Sequence, residues 1–250
     1  AGAILIRTSE PTDHLKIGAQ LGVESGPDVT GSVVVSGPLT DDGKLSAKIA
    51  AFYNKDFGYF TNLYNGNRHF GKSATSTVRG ALAYRPDDSF TAILRFEDGH
   101  SDGDGPAGQN HYKYDRNSFD FAIDNEGFNR ADWTNATFEM RKDVAFGDGQ
   151  IVNLFGWRRI NTGTSSDIDA TTVVTYNLYQ FLRQNQWSNE LRYSGTLGPV
   201  AATVGAFYYS DHMNYIEARD LVANAVHRTG GGVQASETYA LFSKIGRAHV

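Results

Sequence analysis

The chain has 250 residues, no cysteine, and 23 basic against 28 acidic side chains for a formal net charge of −5. This excludes a disulfide framework and a thiolate metal site, and it gives no electrostatic reason to expect nucleic acid as a partner. A mean hydropathy of −0.41 with no apolar run of helix-spanning length excludes a transmembrane helix but not a membrane barrel, whose strands need about 9–11 alternating residues.

Residues 3–7 read as a short apolar strand, followed by the linker Thr8-Ser9-Glu10-Pro11-Thr12. Leu15, Ile17, Ala19, Leu21 and Val23 then alternate with Lys16, Gly18, Gln20 and Gly22, the period of two that marks a strand. Ser25-Gly26-Pro27-Asp28 turns the chain, and Val29, Gly31, Val33 and Val35 return on one side. A Gly/Pro/Asp turn over 37–43 leads to Leu45, Ala47, Ile49, Ala51 and Tyr53, with Lys44, Ser46 and Lys48 opposite. Residues 54–73 read as a polar, aromatic loop.

The clearest hairpin spans 75–97. Val78, Gly80, Leu82 and Tyr84 share one face, Thr77, Arg79, Ala81 and Ala83 the other. After the turn at Pro86-Asp87-Asp88, Phe90, Ala92, Leu94 and Phe96 oppose Thr91, Ile93, Arg95 and Glu97. A long loop is expected over 98–133. Ala136, Phe138 and Met140 resume the apolar face against Thr137, Glu139 and Arg141. Gly147-Asp148-Gly149 turns into 151–160, where Ile151, Phe155 and Trp157 lie opposite Val152, Leu154 and Ile160, so the outward face stays open. After a polar loop over 161–184, Trp187, Leu191 and Tyr193 oppose Ser188, Glu190, Arg192 and Ser194. Gly198-Pro199 leads into 200–210, a further loop reaches about 234, and a last strand opens at Thr238.

Short and long connections alternate, and the strands are longer than the five or six residues usual in globular proteins. The fold expected is all-β, an antiparallel transmembrane β-barrel with long outer loops and short periplasmic turns. Tyr84 and Phe90 sit where an interfacial aromatic belt would fall. The alternatives are a passive porin-like barrel and a soluble β-sandwich binding module.

On a barrel, Lys48, Arg79, Arg95, Glu97, Glu139, Arg141, Glu190 and Arg192 line the lumen, pairing with one another or with a plug. Tyr112, Tyr114, Phe128 and Trp133 in the long loop are the candidate ligand-binding aromatics. Asp98, Asp102 and Gly103 half-match a calcium loop, but His100 occupies a ligand position and the twelfth residue is Gln109. Residues 103–108 fit G-x-G-x-x-G without a helix to follow. His69, His100, His111, His212 and His227 have no metal spacing, and nothing resembles a nucleophile elbow. No metal, cofactor or enzymatic activity is expected.

Three stretches carry a resemblance. Gly2-Ala3-Ile4-Leu5-Ile6-Arg7-Thr8 followed by Pro11 resembles the end of the plug domain of TonB-dependent outer-membrane receptors. Residues 186–192, Q-W-S-N-E-L-R, and 205–209, G-A-F-Y-Y, resemble two successive mid-barrel strands of the same family. The resemblance implies a fragment of about ten strands of a 22-stranded barrel. Residues 1–12 would be the end of the plug and its linker, 13–244 the N-terminal part of the barrel. Residues 245–250, I-G-R-A-H-V, look like translated sequencing adapter and are set apart. It further implies the outer membrane of a Gram-negative bacterium, import of a ferric siderophore or another large, scarce solute, and energy from the TonB-ExbB-ExbD complex through an N-terminal TonB box. Its partners would be outer-membrane lipid, its own plug domain and the iron-siderophore ligand.

Overall fold

The alternation becomes ten long strands in one antiparallel sheet. The computed structural model describes residues 8–221 and 225–247; the expected strand over 3–7 lies outside them. The strands of the large sheet are β1 (Lys16–Glu24), β2 (Asp28–Pro38), β3 (Leu45–Asp56), β6 (Ser73–Asp87), β7 (Phe90–Gly103), β9 (Phe128–Val144), β10 (Gly149–Asp167), β11 (Tyr176–Leu197), β12 (Val200–Leu221) and β13 (Val226–Arg247). Each pairs with the next along the chain, and the sheet is open, with β1 and β13 at its edges. A three-stranded sheet of β4 (Phe60–Asn62), β5 (Asn67–Phe70) and β8 (Asp120–Phe121) is built from two of the connections.

The register shows which side chains share a face. Ile17, Val35, Ile49, Gly80, Phe96, Ala136 and Trp157 lie in one cross-strand row. Leu82, Leu94, Phe138 and Phe155 lie in the next row of that face. On this outward face Ile17, Leu21, Ile49, Val78, Leu82, Leu94 and Leu191 are all exposed to more than two-fifths of their surface. So large an apolar face is unfavourable in water and suits hydrocarbon. The ladder settles the undecided strand: Phe155 stands opposite Phe138, and Trp157 opposite Ala136, so Ile151, Phe155 and Trp157 point outward.

Aromatic rings fall into two bands on this face. Tyr84 and Phe90 meet at 6.4 Å beside one short turn, and Phe146 and Tyr193 at 5.8 Å beside another. Phe155, Trp157 and Trp187 cluster higher up, with centroids 5.7–5.8 Å apart. Tyr193 and Trp187 are six residues apart on β11, about 20 Å of strand and about 14 Å of height at a tilt of about 45°, so both bands fit within the span of a lipid-facing band about 25 Å tall.

Buried apolar side chains are few among the described residues. Phe70, Phe121, Ala122 and Ile123 belong to the small sheet and the loop around it; Ala83 and Ile93 lie opposite each other on the inward face of β6 and β7. Among the described residues no second large sheet is present to pack face to face on the first, as a β-sandwich requires. No described helix is long and apolar enough to cross a membrane. The fold is an antiparallel transmembrane β-barrel segment.

The loop boundaries need correction. The connection expected over 98–133 shrinks to residues 104–127 and that over 161–184 to 168–175, and β13 already begins at Val226, inside the loop expected to reach about 234. β11, β12 and β13 each run 22 residues, about twice what a spanning strand needs. Their outer halves carry no apolar alternation because neither face there meets lipid. Ladder hydrogen bonds continue regardless of side chains, so these halves read as loop in sequence. β13 also continues through 245–247, pairing with Val200, Ala201 and Ala202.

Candidate functional site

Inward side chains of β3, β6, β7 and β9 converge beneath the linker. Thr12 donates its backbone N–H to Ser36 Oγ (2.9 Å), which holds the linker against β2. Lys48 Nζ donates to the Ser9 carbonyl at 3.2 Å. Glu10 reaches three guanidinium groups: Arg85 at 2.6 Å, Arg95 at 3.9 Å and Arg141 at 3.9 Å. Glu139 stands between Arg95 (2.9 Å) and Arg141, bonded to both. Three cations and two carboxylates thus interlock on adjacent strands. Pro11, Ser36, Ser46, Ala83 and Ile93 are buried on this face, where residues 9–12 cross.

A second network lies beside it. Arg79 pairs with Glu97, whose other oxygen accepts from Trp133 Nε1 (2.8 Å) and Asn135 Nδ2 (3.1 Å). Trp133 lies flat over Gly99, directly across the ladder; a methyl group on Gly99 would stand 2.2 Å from the ring. Glycine is needed here for space. Gly99→Ala is expected to swing the indole away and to lower stability by about 2 kcal/mol through overpacking and the lost hydrogen bond. The check is Trp133 emission in a Trp157→Phe, Trp187→Phe background together with urea unfolding. A red shift is expected, and an unmoved spectrum at unchanged stability refutes the packing argument.

Six of the eight expected lumen residues therefore fall into these two networks or touch the linker. Glu190 and Arg192 pair with each other at 2.9 Å, two strands away. Glu10 and Arg85 were missed in sequence. Arg85 reads as part of the turn, but β6 continues to Asp87 and places it in the strand.

The aromatic candidates separate. Tyr112 is 89% exposed in the outer loop, its ring 4.0 Å from that of His111. Tyr114 is half-buried in the same turn. Phe128 and Trp133 are not loop residues: both lie in β9. Phe128 packs under the Arg130 guanidinium (4.8 Å) and beside Phe181 (6.3 Å), while Trp133 belongs to the Glu97 network. The aromatic cluster of the outer loops is instead Tyr59, Phe60, Phe119, Phe121 and Phe70 around the small sheet. Its signal in sequence was the aromatic density of 54–73, which carries no periodicity to assign it.

Glu126 ties these loops together. Its Oε1 accepts from the side-chain amides of Asn62 (3.3 Å), Asn65 (3.0 Å) and Asn67 (2.9 Å). Burial works to raise its pKa, but the three amide donors outweigh that and hold the carboxyl below its ordinary range. At the outer end of β10, burial pushes Asp167 up to about 6, and the charges of Asp169 and Asp124 add to that rise. The half-matched calcium loop does not form: Asp98, His100 and Asp102 are in β7, bonded across to Thr134, Asp132 and Arg130.

No protein-family model matches the chain, and no curated protein matches it. Solved structures do. The ferric yersiniabactin uptake receptor of Yersinia pestis matches with a TM-score of 0.77 at 18% identity, over 96% of this chain and 37% of that one. The fold is that of a TonB-dependent receptor barrel. The ferripyoverdine receptor of the Pseudomonas aeruginosa outer membrane matches the same receptor barrel with a TM-score of 0.63 at 13% identity, over 95% and 35%. The siderophore receptor PiuA from Acinetobacter baumannii gives 0.67 at 10% identity, over 95% and 41%. The chain thus spans less than half the length of each of these receptors. At these identities the likeness is one of fold.

Proposed function

We propose that the chain is part of an energy-coupled outer-membrane receptor that imports a ferric siderophore or another large, scarce solute. Residues 1–12 are then the end of the plug and 13–244 the leading part of the barrel, with 245–250 set apart as adapter-derived. The observation that carries this reading is the path of the linker. Residues 9–12 reach β1 across the inward face, held by Lys48, Arg85, Arg95 and Arg141. A chain arriving from inside the sheet suits a barrel filled by its own N-terminal domain and has no counterpart in an open porin. The matched structures, each a receptor or uptake protein for an iron chelate by its description, support the solute class. The inward charges line the lumen and seat the plug; Tyr112, Tyr114 and the aromatic cluster around the small sheet meet the solute. Transport needs no covalent chemistry from the chain. The plug would be pulled by TonB-ExbB-ExbD in the envelope of a Gram-negative bacterium.

The test is uptake of radioactive iron by cells expressing the full-length protein in a strain lacking its own chelate receptors, across a panel of ferric siderophores and ferric citrate. Uptake of at least one chelate, abolished by an uncoupler, is the expected result. Uptake indifferent to the uncoupler would make the barrel passive, and failure with every chelate would remove iron from the proposal.

A further inference from the structure

Asp124, Asp167 and Asp169 each turn one carboxylate oxygen into a common space, the three oxygens within 4.8 Å of one another. They come from different segments: Asp124 from the stretch between β8 and β9, Asp167 from the last residue of β10, Asp169 from the loop that follows. Among the described residues the ion pairs of the outer region are Lys72–Asp104, His100–Asp132, Arg130–Asp102, Arg219–Glu217 and His227–Asp220, and none includes these three. Three like charges at this spacing repel unless something positive lies among them.

Asn177 supplies the independent observation. It is the cross-strand partner of Asp167, is only 4% exposed, and turns its amide onto Asp124, Nδ2 to Oδ2 at 3.3 Å. Its Oδ1 has no partner, and neither has Asp124 Oδ1, although both atoms are shut off from solvent. Buried oxygens without donors are uncommon in folded proteins. A rotation of the amide by half a turn would bring Asn177 Oδ1 to the place its nitrogen now holds, facing the carboxylates.

We propose that Asp124, Asp167, Asp169 and Asn177 bind a divalent cation, and that this cation is Ca²⁺. The donors are all hard oxygens, with neither nitrogen nor sulfur among them, which disfavours zinc and the later transition metals. Two oxygens on opposite sides of a calcium ion lie about 4.8 Å apart at the usual distance of about 2.4 Å, so oxygens no farther apart than that can share one ion. Carboxylates and an amide from three segments form the irregular, adaptable shell that calcium accepts and that magnesium, with its strict octahedron, does not.

The polar atoms already engaged set how the shell can close. Asp167 Oδ1 accepts from the Ala170 N–H (2.8 Å). Asp169 Oδ2 accepts from the Tyr176 N–H (2.6 Å) and the Thr175 N–H (3.2 Å), and its Oδ1 accepts from the Thr171 hydroxyl, which leaves Oδ1 one lone pair to offer. The Asp124 N–H is shared between Asp167 Oδ2 (3.3 Å) and the Thr171 carbonyl (3.1 Å), the former a weak contact to give up. The ion would pin the 122–127 stretch to the 168–175 loop and so fix the rim on either side of β9 and β10. This does not depend on which solute is transported.

The test uses the purified full-length protein in detergent, stripped with a chelator and titrated calorimetrically with CaCl2. One added equivalent binding with a dissociation constant on the order of 10⁻⁴ M is expected. Asp124→Asn and Asn177→Ala should each weaken it at least tenfold, whereas Asp102→Asn, which removes a carboxylate paired with Arg130, should leave it unchanged. Hydrogen exchange of residues 122–127 and 168–176 in the unmutated protein reports the same event should a variant fail to fold: saturating Ca²⁺ should slow it about tenfold or more. A protein that shows neither heat nor added protection at 5 mM Ca²⁺, or one whose Asp124→Asn variant binds as before, overturns the proposal.

Discussion

Leu94→Arg is expected to block insertion of the protein into lipid, at a cost of about 2–4 kcal/mol, or about thirtyfold and upward in the folded fraction. Leu94 is 47% exposed on the outward face, four residues from Phe90, and its cross-strand partners are Leu82 and Phe138. Neither partner can accept a hydrogen bond from a guanidinium, and lipid offers no substitute. Ser188→Arg is the matched control. Ser188 lies on the inward face next to Glu190 along the same side of β11, so the added cation meets water and a carboxylate. Equilibrium unfolding from phospholipid vesicles, read by the heat-dependent gel mobility of folded barrels, distinguishes the two. Equal losses for both variants would mean that the face assigned to lipid is wrong.

Glu10→Ala is expected to free the linker. The substitution leaves Arg95 and Arg141 with Glu139 and deprives Arg85 of its Glu10 carboxylate. Glu10 is 39% exposed, so solvent screens each contact to about 0.5–1 kcal/mol, and the three together amount to about 2 kcal/mol. Hydrogen exchange across residues 8–13 of the full-length protein should then rise about thirtyfold. Glu10→Asp keeps the charge but shortens the reach and should fall between. Unchanged exchange in Glu10→Ala would show that the Ser9 and Thr12 contacts hold the linker without it.

The fold was legible because lipid and water impose a period of two on the membrane-spanning part of each strand. The outward set on β6 and β7 follows from that alone; the turn between them, expected at 86–88 from its Pro and Asp residues, closes at Asp88 and Ser89 because β6 runs on to Asp87. The signal fails wherever both faces meet the same medium. Above the lipid band both faces are wet, and so the outer halves of β10 to β13 read as loops. Within β10 both sets are apolar, and only the ladder to Phe138 decides between them. The inward ion pairs were legible as a class but not as pairs, because partners such as Arg95 and Glu139 are 44 residues apart. Glu10 sits in an irregular segment, where no periodicity reports that a side chain matters. Trp133 was misread for a related reason: an aromatic in a polar stretch looks like a loop contact until Gly99 opposite it shows where the ring lies.

The length of β11 has a consequence for what the molecule meets first. Its 22 residues extend about 70 Å, which at a tilt of about 45° rises about 50 Å, against a lipid-facing band about 25 Å tall. With Tyr193 of the lower aromatic band at one interface, the 17 residues above it rise about 40 Å, so the upper mouth stands about 15 Å clear of the hydrocarbon, beyond the headgroups. A molecule diffusing toward the cell would strike this protein chimney before it could partition into lipid. For the receptor proposed above, capture at the mouth would then depend on collision in open water, not on lateral diffusion in the membrane plane.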